Sequence, residues 1–138
     1  MIQPLRPLHT VDSILELVGR TPLLRLHQFA PHHAIFAKLE YLNPGGSVKD
    51  RIGINMIRSA EREGKIQPGI STIIEPTAGN TGIGLAIAAR QMGYRCILCV
   101  PIKYSREKMM LMKALGAELV LIPKEEGMKG AIAKCAEL

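Results

Sequence analysis

Asn43-Pro44-Gly45-Gly46-Ser47-Val48-Lys49-Asp50-Arg51 decides the reading of this chain, because it passes one lysine from a glycine-rich turn onto the first turn of a helix. Pro44 fixes φ, and Gly45 and Gly46 allow a sharp turn and close backbone approach. Ser47 with Asp50 three residues on reads as a capping box that starts the helix there. Lys49 then lies at the positive end of a helix dipole and two residues before Arg51, a field that favours the free amine. An amine so placed can form a Schiff base, whereas most lysines are solvated surface charges.

Outward from this turn the chain alternates short strands with amphipathic helices. Strands are expected at 23–26, 35–40, 72–75, 95–100 and 118–122, and helices at 48–63, 81–92, 105–115 and 128–138. On the first helix Val48, Ile52, Met56, Ile57 and Ala60 make one apolar stripe. Gly64, Gly93 and Gly116 stand where helix C-termini need a left-handed residue. Repeated strand-helix-strand units imply an α/β fold with a parallel sheet covered by helices on both faces.

A second glycine-rich loop, Glu75-Pro76-Thr77-Ala78-Gly79-Asn80-Thr81-Gly82-Ile83-Gly84, follows a strand and opens a helix, where backbone N–H groups converge on an anion. Gly79 and Gly82 permit close approach, Thr77 and Thr81 offer hydroxyls, and Asn80 offers both donor and acceptor. The loop reads as a carboxylate grip. A dinucleotide fingerprint is the rival reading, but the spacing here is G-x-x-G-x-G and no acidic residue ends the next strand.

Together the two segments resemble the pyridoxal-phosphate (PLP) enzymes of the cysteine synthase and cystathionine β-synthase family. Gly19-Arg20-Thr21-Pro22-Leu23, Ala37-Lys38-Leu39-Glu40 and Lys113-Ala114-Leu115-Gly116-Ala117 extend the resemblance over nearly the whole chain. It implies a tryptophan-synthase-β-like PLP fold: three layers, an open parallel sheet, and here the N-terminal portion 1–138 with most of the smaller mobile domain. The family's phosphate-cup loop and the serine facing the pyridine nitrogen lie in the later half of such chains and have no counterpart here. The larger, cofactor-phosphate domain is therefore expected to be largely absent.

By the resemblance, Lys49 carries PLP and is the catalytic base at Cα, and Asn80 hydrogen-bonds the cofactor ring oxygen. Thr77, Ala78, Gly79, Asn80 and Thr81 bind the substrate carboxylate. Ala78 stands where many members have serine, so the grip has one hydroxyl fewer. Asp50 and Arg51 are expected to brace the lysine turn. The implied activity is β-elimination and β-replacement on O-acetylserine or serine with sulfide or homocysteine, and the implied assembly is a homodimer at full length. Tyr104-Ser105-Arg106-Glu107-Lys108 and the Thr77 loop lean toward the O-acetylserine-dependent cystathionine β-synthases. Ser47-Val48-Lys49 argues against serine and threonine dehydratases, which present their lysine after Ser-Phe. The alternative is a non-catalytic remnant or partner-binding module, since the same loop in cysteine synthases accepts the C-terminal tail of serine acetyltransferase.

Composition is consistent with this reading. With 138 residues, 47% hydrophobic, the chain can bury one aliphatic core. No apolar run reaches the roughly 18 residues of a membrane span, and the N-terminus lacks a basic stretch followed by an apolar one, so a soluble cytoplasmic protein is expected. The net charge of +6 is spread over Arg58, Arg62, Lys65, Lys103, Arg106, Lys108 and Lys113, interleaved with glutamates. Those read as solvated helix faces and not as a nucleic-acid surface. Cys96 and Cys99 have C-x-x-C spacing, yet residues three apart on a strand point to opposite faces, so they and Cys135 are expected to pack. His32 and His33 adjoin in a loop, and no metal set is expected. Met109, Met110, Met112 and Met128 are expected to fill helix cores.

Overall fold

The computed structural model describes residues 10–138; the segment 1–9, read above as carrying no leader, lies outside the described residues. A parallel sheet of β3 (Thr72–Pro76), β4 (Arg95–Pro101) and β5 (Glu118–Ile122), in that spatial order, carries helices on both faces, as expected. The helices are α1 (Lys49–Arg62), α2 (Asn80–Gln91), α3 (Arg106–Ala114) and α4 (Gly127–Glu137). Gly64, Gly93 and Gly116 have the positive φ that ends the first three.

Central strand β4 explains the layering. Every residue from Cys96 to Pro101 is buried, so each alternate side chain must find a separate core. Cys96, Leu98 and Val100 join Ile54 and Ile57 of α1, the apolar residues of α2, and Met112 of α3. Cys99 packs on the other face with Ile122 of β5 and Ala131 and Cys135 of α4. The two C-x-x-C thiols therefore occupy opposite faces. Burial pushes Cys96 up to about 11 and, with the Cys99 thiol beside it, Cys135 up to about 12. Both are poor nucleophiles at neutral pH.

Three expectations are corrected. The first two strands, β1 (Leu23–Arg25) and β2 (Phe36–Lys38), do not enter the parallel sheet; they pair antiparallel as a separate ribbon, Leu24 opposite Ala37. The connection between them holds no helix, and a parallel pair needs a long crossover. On α1 the buried residues are Asp50, Gly53, Ile54 and Ile57, while Val48, Ile52 and Met56 remain about two-fifths exposed. Apolar spacing alone missed this because the buried face is chosen by a glycine: a Cβ on Gly53 would lie 2.4 Å from the Gly84 carbonyl carbon and oxygen. Helices α1 and α2 cross in backbone contact there. Among the methionines Met112 is fully buried and Met109 and Met128 pack on the cores, but Met110 is 63% exposed.

No helix among the described residues is long and apolar enough to cross a membrane. Among the same residues no cluster of three or more His, Cys, Asp or Glu side chains could hold a metal ion.

Candidate active site

The lysine turn is built as the sequence implies, with one change of partners. The Gly46 N–H donates to the Asn43 carbonyl at 2.8 Å and closes the turn, and Gly46 takes φ 78°. The Ser47 hydroxyl accepts from the Lys49 N–H at 3.1 Å. Asp50 does not complete a capping box with Ser47. Its carboxylate instead reaches back to accept the Gly45 N–H, and Asp50 is only 1% exposed. Its second oxygen, Oδ1, has no hydrogen-bond partner among the described residues.

Burial raises the Asp50 carboxyl above its ordinary 3.8, opposed by the Gly45 N–H and aided by the nearby Glu40 charge. A raised folded value means that ionised Asp50 weakens the fold at neutral pH and that this penalty fades as the pH falls toward 3.8. The melting temperature of Asp50→Asn minus that of the parent should therefore be greater at pH 7 than at pH 4. Thermal melts at the two pH values check this, and the opposite order would show that burial does not dominate at Asp50.

A polar clasp ties the turn to the ribbon. Arg51 makes a bidentate contact with Glu40, both bonds 2.8 Å, and donates to the Gly19 carbonyl at 3.0 Å. Glu40 also accepts from the Thr21 hydroxyl at 2.7 Å and the Asn43 amide at 3.0 Å, and Asn43 Oδ1 accepts from the Gly19 N–H at 2.8 Å. Lys38 Nζ donates to the Thr21 carbonyl. With Arg51 first among its partners, Glu40 is held down to about 2. Glu40 and Asn43, which stand in the quoted motifs but were given no role there, are structural partners of the clasp.

The second loop is held from beneath. Thr77, 3% exposed, donates its N–H to the Cys99 carbonyl at 3.0 Å and accepts the Gly82 N–H on its hydroxyl at 3.0 Å. A Cβ on Gly82 would meet Thr77 Cγ2 at 2.5 Å, so a glycine is required for this packing. Helix α2 begins at Asn80 with Gly79 as N-cap and no side-chain cap. The N–H groups of Ala78, Asn80 and Thr81 have no acceptor among the described residues, and those residues are only partly buried. Free donors at a helix N-terminus form an anion site.

Lysine and loop are brought together by the helix crossing. A Cβ on Gly84 would lie 2.5 Å from the Lys49 carbonyl oxygen, so the start of α1 rests directly on the first turns of α2. The Lys49 amine itself has no hydrogen bond to the loop, and among the described residues neither the Asn80 nor the Thr81 side chain has a hydrogen-bond partner. Lys108, grouped by its sequence with solvated faces, stands elsewhere: its ammonium lies over Gly79, 3.3 Å from where a Cβ would be.

The start of a lysine-bearing helix thus rests on a helix start with free N–H donors, and comparison with known proteins gives the family. Residues 14–138 match the family model described as "Pyridoxal-phosphate dependent enzyme", and the chain belongs to that family. It is 54% identical over 130 residues to the O-acetylserine dependent cystathionine beta-synthase of Bacillus subtilis (strain 168), covering 93% of this chain and 42% of that protein. The cysteine synthase of Staphylococcus aureus (strain Mu50 / ATCC 700699) matches with the same identity and coverage. The solved cysteine synthase of Entamoeba histolytica superposes with TM-score 0.87 at 41% identity, over 99% of this chain and 42% of that one. The chain thus spans less than half the length of the curated relatives it matches.

Proposed function

We propose that residues 1–138 form the N-terminal portion, with most of the smaller mobile domain, of a PLP-dependent β-replacement enzyme acting on O-acetylserine or serine with sulfide or homocysteine. The observation that carries this reading is the backbone contact of Lys49 with Gly84, which sets a lysine beside a helix start bearing unpaired N–H donors. Lys49 would hold PLP through its amine, and Asn80 would hydrogen-bond the ring. PLP, when bound, supplies the electron sink for charge developing at the substrate α-carbon. The residues of this chain supply the lysine and the carboxylate grip. The N–H groups of Ala78, Asn80 and Thr81 hold the substrate α-carboxylate. Lys49 Nζ, once free, takes the proton from the α-carbon. The Asp50, Glu40 and Arg51 contacts hold the lysine turn in register, and geometric error of about 1 Å at such a site costs roughly a hundredfold in rate.

Borohydride reduction of the chain in the presence of PLP, followed by peptide mapping, should label Lys49. Label on Lys38 or Lys65 with Lys49 unmodified would overturn the assignment. The same free donors also suit a C-terminal peptide carboxylate such as that of serine acetyltransferase. Binding of such a tail by the chain, with no PLP label at Lys49, would favour that second reading.

A further inference from the structure

The geometry points to Lys108 as a further substrate-binding residue, the cation that pairs with the α-carboxylate held by the Thr77–Thr81 loop; this rests on the carboxylate-grip reading of that loop. Lys108 comes from α3, a different helix from the loop, so its approach is a product of the fold. The Ser105 hydroxyl, N-cap of α3, accepts the Lys108 N–H at 3.3 Å and fixes where the side chain leaves the helix. The same hydroxyl donates to Glu107 Oε2 at 2.7 Å, which occupies the neighbouring carboxylate. None of the ion pairs among the described residues includes Lys108.

Lys108, partly buried and in none of the ion pairs among the described residues, therefore rests its ammonium over Gly79, the one residue of the Thr77–Thr81 loop that has no side chain. Gly79 leaves the space: Lys108 Nζ lies 3.3 Å and Cδ 3.7 Å from the position of an added Cβ. Beside it are the unpaired N–H groups of Asn80 and Thr81 at the positive end of α2. The Lys108 ammonium close to Gly79 and the helix start that follows Gly79 both contribute positive potential at this point of the loop. A monoanionic carboxylate between them satisfies the N–H donors with one oxygen and the ammonium with the other. Ala78 contributes no side-chain donor at this point, and beside the neutral Asn80 and Thr81 side chains Lys108 adds a charged donor for the second oxygen.

The test is a titration of the 15N-labelled chain with O-acetyl-L-serine and with its methyl ester, followed at the amides of 78–81. Lys108→Gln should weaken O-acetylserine binding about tenfold, equivalent to roughly 1.4 kcal/mol. Lys108→Arg should restore most of it. The methyl ester, lacking the carboxylate, should bind the parent and Lys108→Gln equally weakly. Unchanged α4 amide positions in Lys108→Gln would show that the fold is intact. Affinity of Lys108→Gln within about twofold of the parent, with the loop amides still responding, would overturn the role of Lys108 and leave the grip standing. Loop amides that ignore O-acetylserine in the parent chain would overturn both.

Discussion

Gly53→Ala should lower the melting temperature by roughly 10 °C and abolish selective labelling of Lys49 by PLP. The added methyl would fall 2.4 Å from Gly84 carbon and oxygen and 2.8 Å from the Leu85 nitrogen, all backbone atoms that no rotamer change can move. Helices α1 and α2 must then separate. Overpacking of this kind costs about 3 kcal/mol, and a domain of this size loses roughly 3–4 °C per kcal/mol. Gly84→Ala should behave alike, since its methyl meets the Lys49 carbonyl oxygen at 2.5 Å. The exposed α1 residue Asn55 supplies the control: Asn55→Ala should shift the melt by less than about 2 °C. Circular-dichroism melts and peptide mapping read both effects. A Gly53→Ala protein that melts with the parent would show that the crossing is not tight.

Glu40→Gln should release the β1–β2 ribbon from α1, with amide protection at Gly19, Leu26 and Leu39 falling about tenfold or more while that of β4 is kept. Four hydrogen bonds from three side chains converge on the Glu40 carboxylate, and the amide of glutamine can accept on only one oxygen, turning its NH₂ toward Arg51 or Asn43. The pH dependence has a definite sign. Glu40 is held at about 2 against an ordinary 4.5, so its contribution is complete above pH 4.5 and is lost as the pH falls toward 2. Parent and Glu40→Gln should therefore differ at pH 6 and converge near pH 2. Hydrogen exchange and melts across that range decide it; a difference that persists at pH 2 would contradict the clasp.

The parts of this fold that announce themselves in the sequence are those governed by local rules. Strand β4 is a continuous apolar run, Gly64, Gly93 and Gly116 end helices, and the lysine turn carries its own punctuation. What local rules could not supply was which neighbour each group would choose. Asp50 has the spacing of a capping partner for Ser47, yet the Gly45 N–H is nearer once the turn closes. Val48, Ile52 and Met56 have helical spacing and hydrophobicity, yet Gly53 gives closer approach and takes the interface. Lys108 lies among other cations along α3, and only the packing of α3 on α2 brings it over Gly79. The antiparallel pairing of β1 with β2 likewise depends on the helix-free connection between them, a long-range outcome with no motif of its own.

The outer edge of β3 has a practical consequence for anyone handling the chain. Strand β3 pairs only with β4 among the described residues, which leaves one ladder of its peptide groups available to another molecule. Two features of Thr72-Ile73-Ile74-Glu75-Pro76 limit sticking. Pro76 has no N–H to offer an incoming strand, and Glu75 places a carboxylate in an otherwise apolar run. That carboxylate is half-buried, and desolvation raises its affinity for a proton above that of an ordinary glutamate. Mild acid removes its charge earlier than it would a surface acid, leaving Pro76 as the sole remaining guard of that edge. Concentrated stocks should therefore stay clear at neutral pH and form fibrous precipitate first on the acid side, well before the chain unfolds.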